Sequence, residues 1–333
     1  MATLDDVRKI LGKRNVSMEV SNPTLWVSSG NYALNKMITG DFVKGVPNKK
    51  TVLYWGPSGS GKSYLACAAA KEAQDAGYVV IYIDTEHAIH EDYLKSIGVD
   101  LDPEKFALIN IGVIDGKDGI RKTMSELFAT FDPEDKICYV IDSLSNLQTE
   151  REANAFDDGE VANDMGLKSK MLKNFVTNMN YKIGERDNFL IMTCHAYQNQ
   201  DIRNGEGAWI CNGGKGIQFL PSISLLMTHL KNREGGVING IKIRAEITKS
   251  RFSPGKGLKH EMIVPHDSGI DPYDGLLEVA VNDGLIKRAG AWYSFTDSDG
   301  KEVKFQGSKG FTPEVATQLF DFGGIEVVDY EAE

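Results

Sequence analysis

Apolar and polar positions follow two different periods along the middle of the chain. Four short runs rich in β-branched and aromatic residues predict strands, each with polar groups at its carboxyl end: TVLYWG from Thr51, VVIYID from Val79, KICYVID from Lys136 and FLIMTCHA from Phe189. Between them, SYLACAAAKEAQDAG and IRKTMSELFATF place apolar residues at helical spacing, with Gly77 positioned to end the first helix. This alternation predicts an α/β fold with a mostly parallel sheet flanked by helices.

Two later segments and two interruptions complete the pattern. SISLLMTHLK and GIKIRAEITKS have the character of strands, and we expect them to be antiparallel at one edge of the sheet. Polar or glycine-rich stretches interrupt the core at about residues 150–168 and 197–216. Loops of this length inside a compact domain are usually functional or disordered.

Composition narrows the class of protein. With 41% hydrophobic and 25% charged residues, the 333-residue chain can form one large domain and a smaller appendage. It has no apolar run of membrane-spanning length and no signal-peptide pattern, so we expect a cytoplasmic protein without a membrane partner. A net charge of −10 excludes a protein that coats nucleic acid with its whole surface, although a local basic groove remains compatible with it.

The four cysteines are widely spaced. Cys67, Cys138, Cys194 and Cys211 have neither the spacing of a CxxC metal site nor that of a disulfide framework. We therefore expect them to be small buried hydrophobic side chains.

The strongest motif is a phosphate-binding loop between a predicted strand and a predicted helix. It fits the pattern G-x-x-x-x-G-K-[ST] in full. Its residues are Gly56, Pro57, Ser58, Gly59, Ser60, Gly61, Lys62 and Ser63. Backbone N–H groups of such a loop and the helix N-terminus bind phosphates, the lysine adds a positive charge, and the hydroxyl of Ser63 can bind Mg²⁺. The sequence thus predicts an ATP site.

Acidic residues follow two of the predicted strands. Asp142, at the end of KICYVID, is the candidate for the second Mg²⁺ group, through water, and Asp84 is its rival. Glu86 lies two residues beyond Asp84, where a carboxylate could polarise an attacking water. From chemistry alone, Glu86 is equally well interpreted as a solvated loop residue.

Several segments resemble the RecA family of DNA recombinases. The first is YIDTEHA at Tyr82–Ala88, and the others are DYLKSIGVD, VIDSLSNL, SGIDPYDGLLEVAVNDGLI and AGAWYSF. The resemblance covers about residues 27–295, and VIDSLSNLQTERE and GIDPYDGLL are most similar to the phage UvsX recombinases. It implies a RecA-type ATPase core, a filament on single-stranded DNA with ATP between adjacent subunits, and strand exchange with homologous duplex.

The resemblance also implies roles for individual residues. Glu86 would be the catalytic base, and Tyr93 would stack on the adenine. His195, where bacterial members have glutamine, would sense the γ-phosphate, and Lys249 and Arg251 would reach the ATP of a neighbour. Without the family, a strand-end histidine and a K-x-R strand would be interpreted as structural and solvated, respectively.

The two interruptions match the positions of the family's DNA-binding loops. The candidate DNA-binding residues are Lys168, Arg203, Trp209 and Lys215. The resemblance implies that residues 1–27 dock on the adjacent protomer, and the alternative is that they cap their own core. We expect residues 28–275 to form the core and 276–333 to form a small region with an acidic tail. A homo-oligomeric filament or ring is expected, together with mediator and single-strand-binding partners.

Two other functions remain open from the sequence. A hexameric helicase or packaging motor would keep the fold without strand exchange, and a regulatory paralogue would bind ATP without catalysis. The long second interruption and AGAWYSF favour the recombinase over the motor. The joint presence of Lys62, Ser63, Glu86 and Asp142 argues against an inactive site.

Overall fold

The fold is built around one large sheet. The computed structural model describes residue 5 and residues 21–162, 166–199, 209–230, 240–253, 255–265 and 268–320. Its strands are β1 (Trp26–Val27), β2 (Val46–Pro47), β3 (Thr51–Gly56), β4 (Val79–Asp84), β5 (Phe106–Asn110), β6 (Ile137–Asp142), β7 (Phe189–Gln198), β8 (Trp209–Cys211), β9 (Ile223–His229), β10 (Ile241–Ser250) and β11 (Lys259–Val264). The main sheet has the order β11-β10-β9-β3-β7-β6-β4-β5, with β8 paired to β7.

The four strands predicted from the apolar runs are confirmed as neighbours in the middle of this sheet. β3, β7, β6 and β4 pair in parallel, and their residues are almost all buried. The register aligns Gly56 with His195 and Asp84 with Asp142. The carboxyl ends of all four strands therefore meet at one edge, which is where open α/β sheets bind ligands.

Helices cover both faces of the sheet. They are α1 (Tyr32–Thr39), α2 (Lys62–Asp75), α3 (Glu91–Ile97), α4 (Ile120–Thr130), α5 (Glu150–Asp157), α6 (Leu167–Gly184) and α7 (Lys215–Phe219). Side chains of α2 fill one core cluster, and those of α4 and α6 fill a second cluster on the other face. Gly77 follows α2 with a φ of 83°, and its N–H donates to Gln74 O, as the sequence predicted for a helix end.

Two expectations need correction. β9 and β10 are antiparallel to each other, but β9 also pairs in parallel with β3, so it lies inside the sheet and β11 forms the edge. The first interruption is not a continuous loop, because α5 occupies its beginning. Thr149 and Glu152 form a reciprocal capping box there, while no side chain of α5 is buried.

A smaller unit follows the main sheet. It contains α8 (Leu276–Asn282), β12 (Lys287–Ala289), β13 (Trp292–Thr296), β14 (Glu302–Gln306) and α9 (Pro313–Leu319), with its own apolar cluster. This cluster also includes Tyr32 from α1. The expected boundaries at residues 27 and 275 stay a prediction. None of the helices in the described ranges combines the length and apolar character that a bilayer span requires.

Candidate active site

The loop between β3 and α2 is held tightly against the sheet. A Cβ on Gly56 would lie 2.0 Å from Met227 O, so only glycine fits there. Gly61 begins α2 with a φ of 81°, a conformation that glycine adopts without strain. The buried Ser60 hydroxyl donates to Pro57 O at 2.8 Å. These contacts place the loop over the N-terminus of α2, a favourable position for binding an anion.

Lys62 is the buried cation of this site. Its side chain is 4% exposed, and Nζ donates to Pro57 O at 2.8 Å. Nζ also lies 3.5 Å from His195 Nδ1. Burial lowers the pKa of Lys62, and the carboxylates of Asp142 and Glu86 oppose that effect. A buried ammonium group with few anionic contacts is well suited to a phosphate ligand.

Glu86 and His195 form the second part of the site. His195 Nε2 and Glu86 Oε1 are 2.7 Å apart, and Ser143 Oγ donates to the same oxygen at 2.7 Å. The hydrogen bond with His195 is the largest cause that holds the pKa of Glu86 below its ordinary value, against the effect of burial. Ser145 Oγ accepts from the His195 backbone N–H at 3.0 Å and contacts Ser143 Oγ. The sequence did not predict that Ser143 contacts Glu86 or that Ser145 contacts His195.

The two aspartates at the strand ends have different environments. Asp84 accepts the backbone N–H groups of residues 86, 88 and 89, so it shapes the segment that carries Glu86. Asp142 is 5% exposed and accepts hydrogen bonds from Tyr82 Oη at 2.7 Å and from Thr193 Oγ1. The Asp142 carboxylate also opposes the lowering of the Lys62 pKa by burial, so it acts on the cation of the phosphate loop.

A cavity of about 230 Å³ brings most of the predicted residues together. Residues 58–63 of the loop line it, together with Glu86, Tyr93 and His195. Ile241, Val264 and Pro265 close another side. Tyr93 is carried by α3, so an aromatic ring lies in the same cavity as the loop.

Lys249 and Arg251 lie near the amino end of β3, at the opposite end of this strand from the cavity. The Arg251 N–H donates to Ser222 O, and Ser222 N–H donates to Thr51 O at the amino end of β3. Lys249 Nζ donates to Phe219 O and Pro221 O, both at 2.5 Å, whereas Arg251 is exposed. The structure therefore does not bring these two cations to the cavity of their own chain.

The candidate DNA-binding residues are only partly described. Lys168 is half-buried in the first turn of α6, and Trp209 begins β8 half-buried against the second core cluster. Lys215 begins α7, and Arg203 lies outside the described residues, as does most of the N-terminal segment. Two exposed apolar side chains in the first interruption, Phe156 and Val161, were not singled out from the sequence.

Comparisons with known proteins agree with the geometry. The family model described as RecA N-terminal domain matches residues 1–270. The chain is 28% identical to Protein RecA of Nocardioides sp. over 299 residues, covering 88% of this chain and 81% of the relative. It is 27% identical over 304 residues to Protein RecA of Corynebacterium urealyticum, covering 90% and 77%, and 26% identical over 341 residues to Protein RecA of Corynebacterium diphtheriae, covering 99% and 87%.

The hydrogen bond from Tyr82 to Asp142 gives a stability prediction with a matched control. Tyr82→Phe removes a donor from a buried carboxylate and is expected to lower the free energy of unfolding by about 1–3 kcal/mol. Tyr54→Phe is the control, because Tyr54 Oη is buried in the same cluster and has no partner within the described part of the chain. Urea unfolding would measure both. Equal losses in the two variants would contradict the assigned role of Tyr82.

The contact between Glu86 and His195 gives a prediction about pH. His195→Phe removes the larger of the two side-chain hydrogen bonds that lower the pKa of Glu86, so we expect this pKa to rise toward the value of about 4.3 of a free glutamate. A lowered carboxyl pKa contributes stability above the unfolded pKa, and this contribution is lost as pH falls through the folded pKa. The unfolding free energy of the variant should therefore depend less on acid pH.

Carbon NMR of the glutamate carboxyl groups would measure this shift, with the Glu86 signal assigned from Glu86→Gln. Ser143→Ala is the comparison, and we expect it to raise the pKa of Glu86 by less. An unchanged pKa in His195→Phe would show that the contact does not exist in solution.

Proposed function

Because the chain belongs to the RecA family, we propose that it is a DNA-dependent ATPase that assembles on single-stranded DNA and exchanges it with homologous duplex. The observation that carries this proposal is the convergence of Lys62, Glu86 and His195 in one cavity beside the glycine-rich loop. A phosphate-binding cation, a carboxylate base and a polar group between them are what ATP hydrolysis coupled to a conformational change requires.

The hydrolysis step follows from these contacts. ATP places its β- and γ-phosphates against residues 56–63, where backbone N–H groups and the Lys62 ammonium bind their oxygens. Tyr93 stacks on the adenine. Glu86 accepts a hydrogen bond from the attacking water, and since Ser143 and His195 both meet Oε1, Oε2 is left for that water. The bond between the γ-phosphorus and the bridging oxygen breaks, and ADP and phosphate leave.

Magnesium fits the donors on this side of the cavity. Ser63 lines the cavity, and the Asp142 carboxylate, which acts on the Lys62 ammonium, accepts hydrogen bonds from Tyr82 and Thr193 on its two oxygens. These donors fit an ion held directly by Ser63 and phosphate oxygens and through water by Asp142. When bound, the ion would neutralise charge on the transferring phosphate.

His195 connects the phosphate site to the second interruption. Its ring lies between Lys62 and Glu86. A γ-phosphate oxygen that accepts a hydrogen bond from this ring would therefore compete with Glu86. Its backbone O accepts the Asn212 N–H at 2.8 Å, next to β8. A change in the position of His195 would therefore act directly on Asn212, the residue that follows β8 within the second interruption.

ATP lies between two protomers in this proposal. Lys249 and Arg251 occupy the edge of the sheet opposite the cavity, which is where they would face the cavity of an adjacent copy stacked head to tail. There they would stabilise the charge of the transferring phosphoryl group, so hydrolysis would depend on assembly. Residues 1–27 would dock on the same neighbour.

Residues 150–168 and 197–216 are the proposed DNA-binding segments. Lys168, Arg203 and Lys215 would contact phosphates, and Trp209 would support the second segment from its half-buried position. We assign the protein to the UvsX-like branch on its sequence segments, and expect mediator and single-strand-binding partners in the cytoplasm.

A strand-exchange assay with homologous and heterologous duplex tests the proposed function. The wild-type protein should pair single-stranded DNA only with the homologous duplex and hydrolyse ATP as it does so. Glu86→Gln should slow hydrolysis by about 100-fold or more, because it removes the base, while ATP binding is kept. Its filaments should then remain on DNA, as measured by retention of labelled DNA after a salt challenge.

Lys62→Ala is the control, since it should lose turnover together with ATP-dependent DNA retention. Translocation on single-stranded DNA without homology-dependent pairing would instead support a motor. Normal hydrolysis by Glu86→Gln would contradict the assignment of the base.

A further inference from the structure

Two buried thiols meet beside the phosphate site. Cys194 lies in β7 and Cys211 in β8, 17 positions later, and Cys211 Sγ is 2.9 Å from Cys194 Sγ. A disulfide bond is about 2.05 Å long, so the two sulfurs would have to approach by only about 1 Å to form one. Both cysteines are free and fully buried. The sequence spacing gave no sign of the contact, because strand pairing alone brings the two residues together.

We propose that Cys194 and Cys211 are a modification site that hydrogen peroxide converts into a reversible disulfide. One sulfur attacks the peroxide to give a sulfenic acid and water, and the second sulfur displaces the hydroxyl as a second water. Two thiols are oxidised and one peroxide is reduced to two waters. A thiol reductant reverses the bond by exchange.

The surroundings of the pair control its reactivity. The hydrogen bond to Cys194 and burial raise the pKa of Cys211, so Cys211 is a protonated thiol in the closed site. The Lys62 ammonium acts in the opposite direction and favours a thiolate. β8 is three residues long and pairs with β7 only across Ala196–Gln198 within the described residues, so a local opening of β8 is the route by which peroxide reaches the pair.

A disulfide here would fix β8 to β7 next to His195. Asn212 N–H already donates to His195 O, and Cys194 Sγ contacts Asn212 O at 3.1 Å. On the proposed function, with which this consequence stands or falls, β8 is the return strand of the second DNA-binding segment. A covalent bond at its base would hinder the reorganisation that couples DNA binding to hydrolysis.

The chain supplies its own control thiols. Cys67 and Cys138 are equally buried but belong to the other core cluster, on the opposite face of the sheet. Cys67 is carried by α2 and Cys138 by β6. Cys67→Ala thus removes a buried thiol and leaves the proposed pair intact.

The first experiment counts thiols. The full chain is treated with hydrogen peroxide, denatured and titrated with a thiol reagent, and its intact mass is measured. Two of the four thiols should disappear in the wild-type protein, with the loss of two hydrogens, and a thiol reductant should restore them. Cys67→Ala should also lose two thiols and two hydrogens, whereas Cys194→Ser and Cys211→Ser cannot form the disulfide and should show no loss of two hydrogens. Four thiols remaining in the treated wild-type protein, or a disulfide between chains, would overturn the site.

The second experiment measures how the disulfide affects DNA-stimulated ATP hydrolysis. Peroxide treatment should lower the stimulation of ATP hydrolysis by single-stranded DNA about fivefold or more in the wild-type protein and in Cys67→Ala. Cys211→Ser should keep its stimulation after the same treatment. Stimulation that persists despite a complete disulfide would overturn the regulatory role of the pair. Absence of stimulation in the untreated protein would instead contradict the proposed function, and the thiol count would be unaffected.

Discussion

The cation of the phosphate loop and the cation Arg251 lie at opposite ends of strand β3. Lys62 follows Gly56 at the carboxyl end of β3, while Arg251 is bonded through Ser222 to Thr51 at the amino end of the same strand. The five residue steps from Thr51 to Gly56 correspond to about 16 Å. One chain therefore cannot place both cations on a single phosphate, but a neighbour stacked head to tail can. The proposed dependence of hydrolysis on assembly rests on this separation.

Within one protomer, the end of β7 joins the phosphate site to the second interruption. The His195 ring contacts Lys62 and Glu86, and its backbone binds Ser145 and Asn212. The same strand carries Cys194 on its other face, against Cys211. A ligand that moves His195 therefore acts on a strand whose next pairing partner is β8. On the proposed function, this short connection would couple nucleotide state to DNA binding without a large rearrangement of the core.

Much of the site could be predicted because its signals are local in the sequence. The phosphate loop, the four central strands and the polar groups at their ends depend on short patterns that the parallel register then assembles. The contacts of Ser143 with Glu86, of Ser145 with His195 and of Thr193 with Asp142 could not be predicted, because they arise from the pairing of β6 with both β4 and β7. α5 was interpreted as loop because it has no buried face, and its Thr149 capping box was the missed signal. β5 was missed because its apolar run, residues 106–109, is only four residues long, and several of its side chains are exposed at the edge of the sheet.

A mixing experiment tests most directly whether ATP is hydrolysed between two protomers. Lys62→Ala and Arg251→Ala should each be inactive alone, since every cavity then lacks one of its two cations. An equimolar mixture should recover about a quarter of the wild-type DNA-dependent ATPase activity, because half of the cavities keep Lys62 and half of their neighbours supply Arg251. A mixture that stays inactive, or full activity of Arg251→Ala alone, would contradict the account.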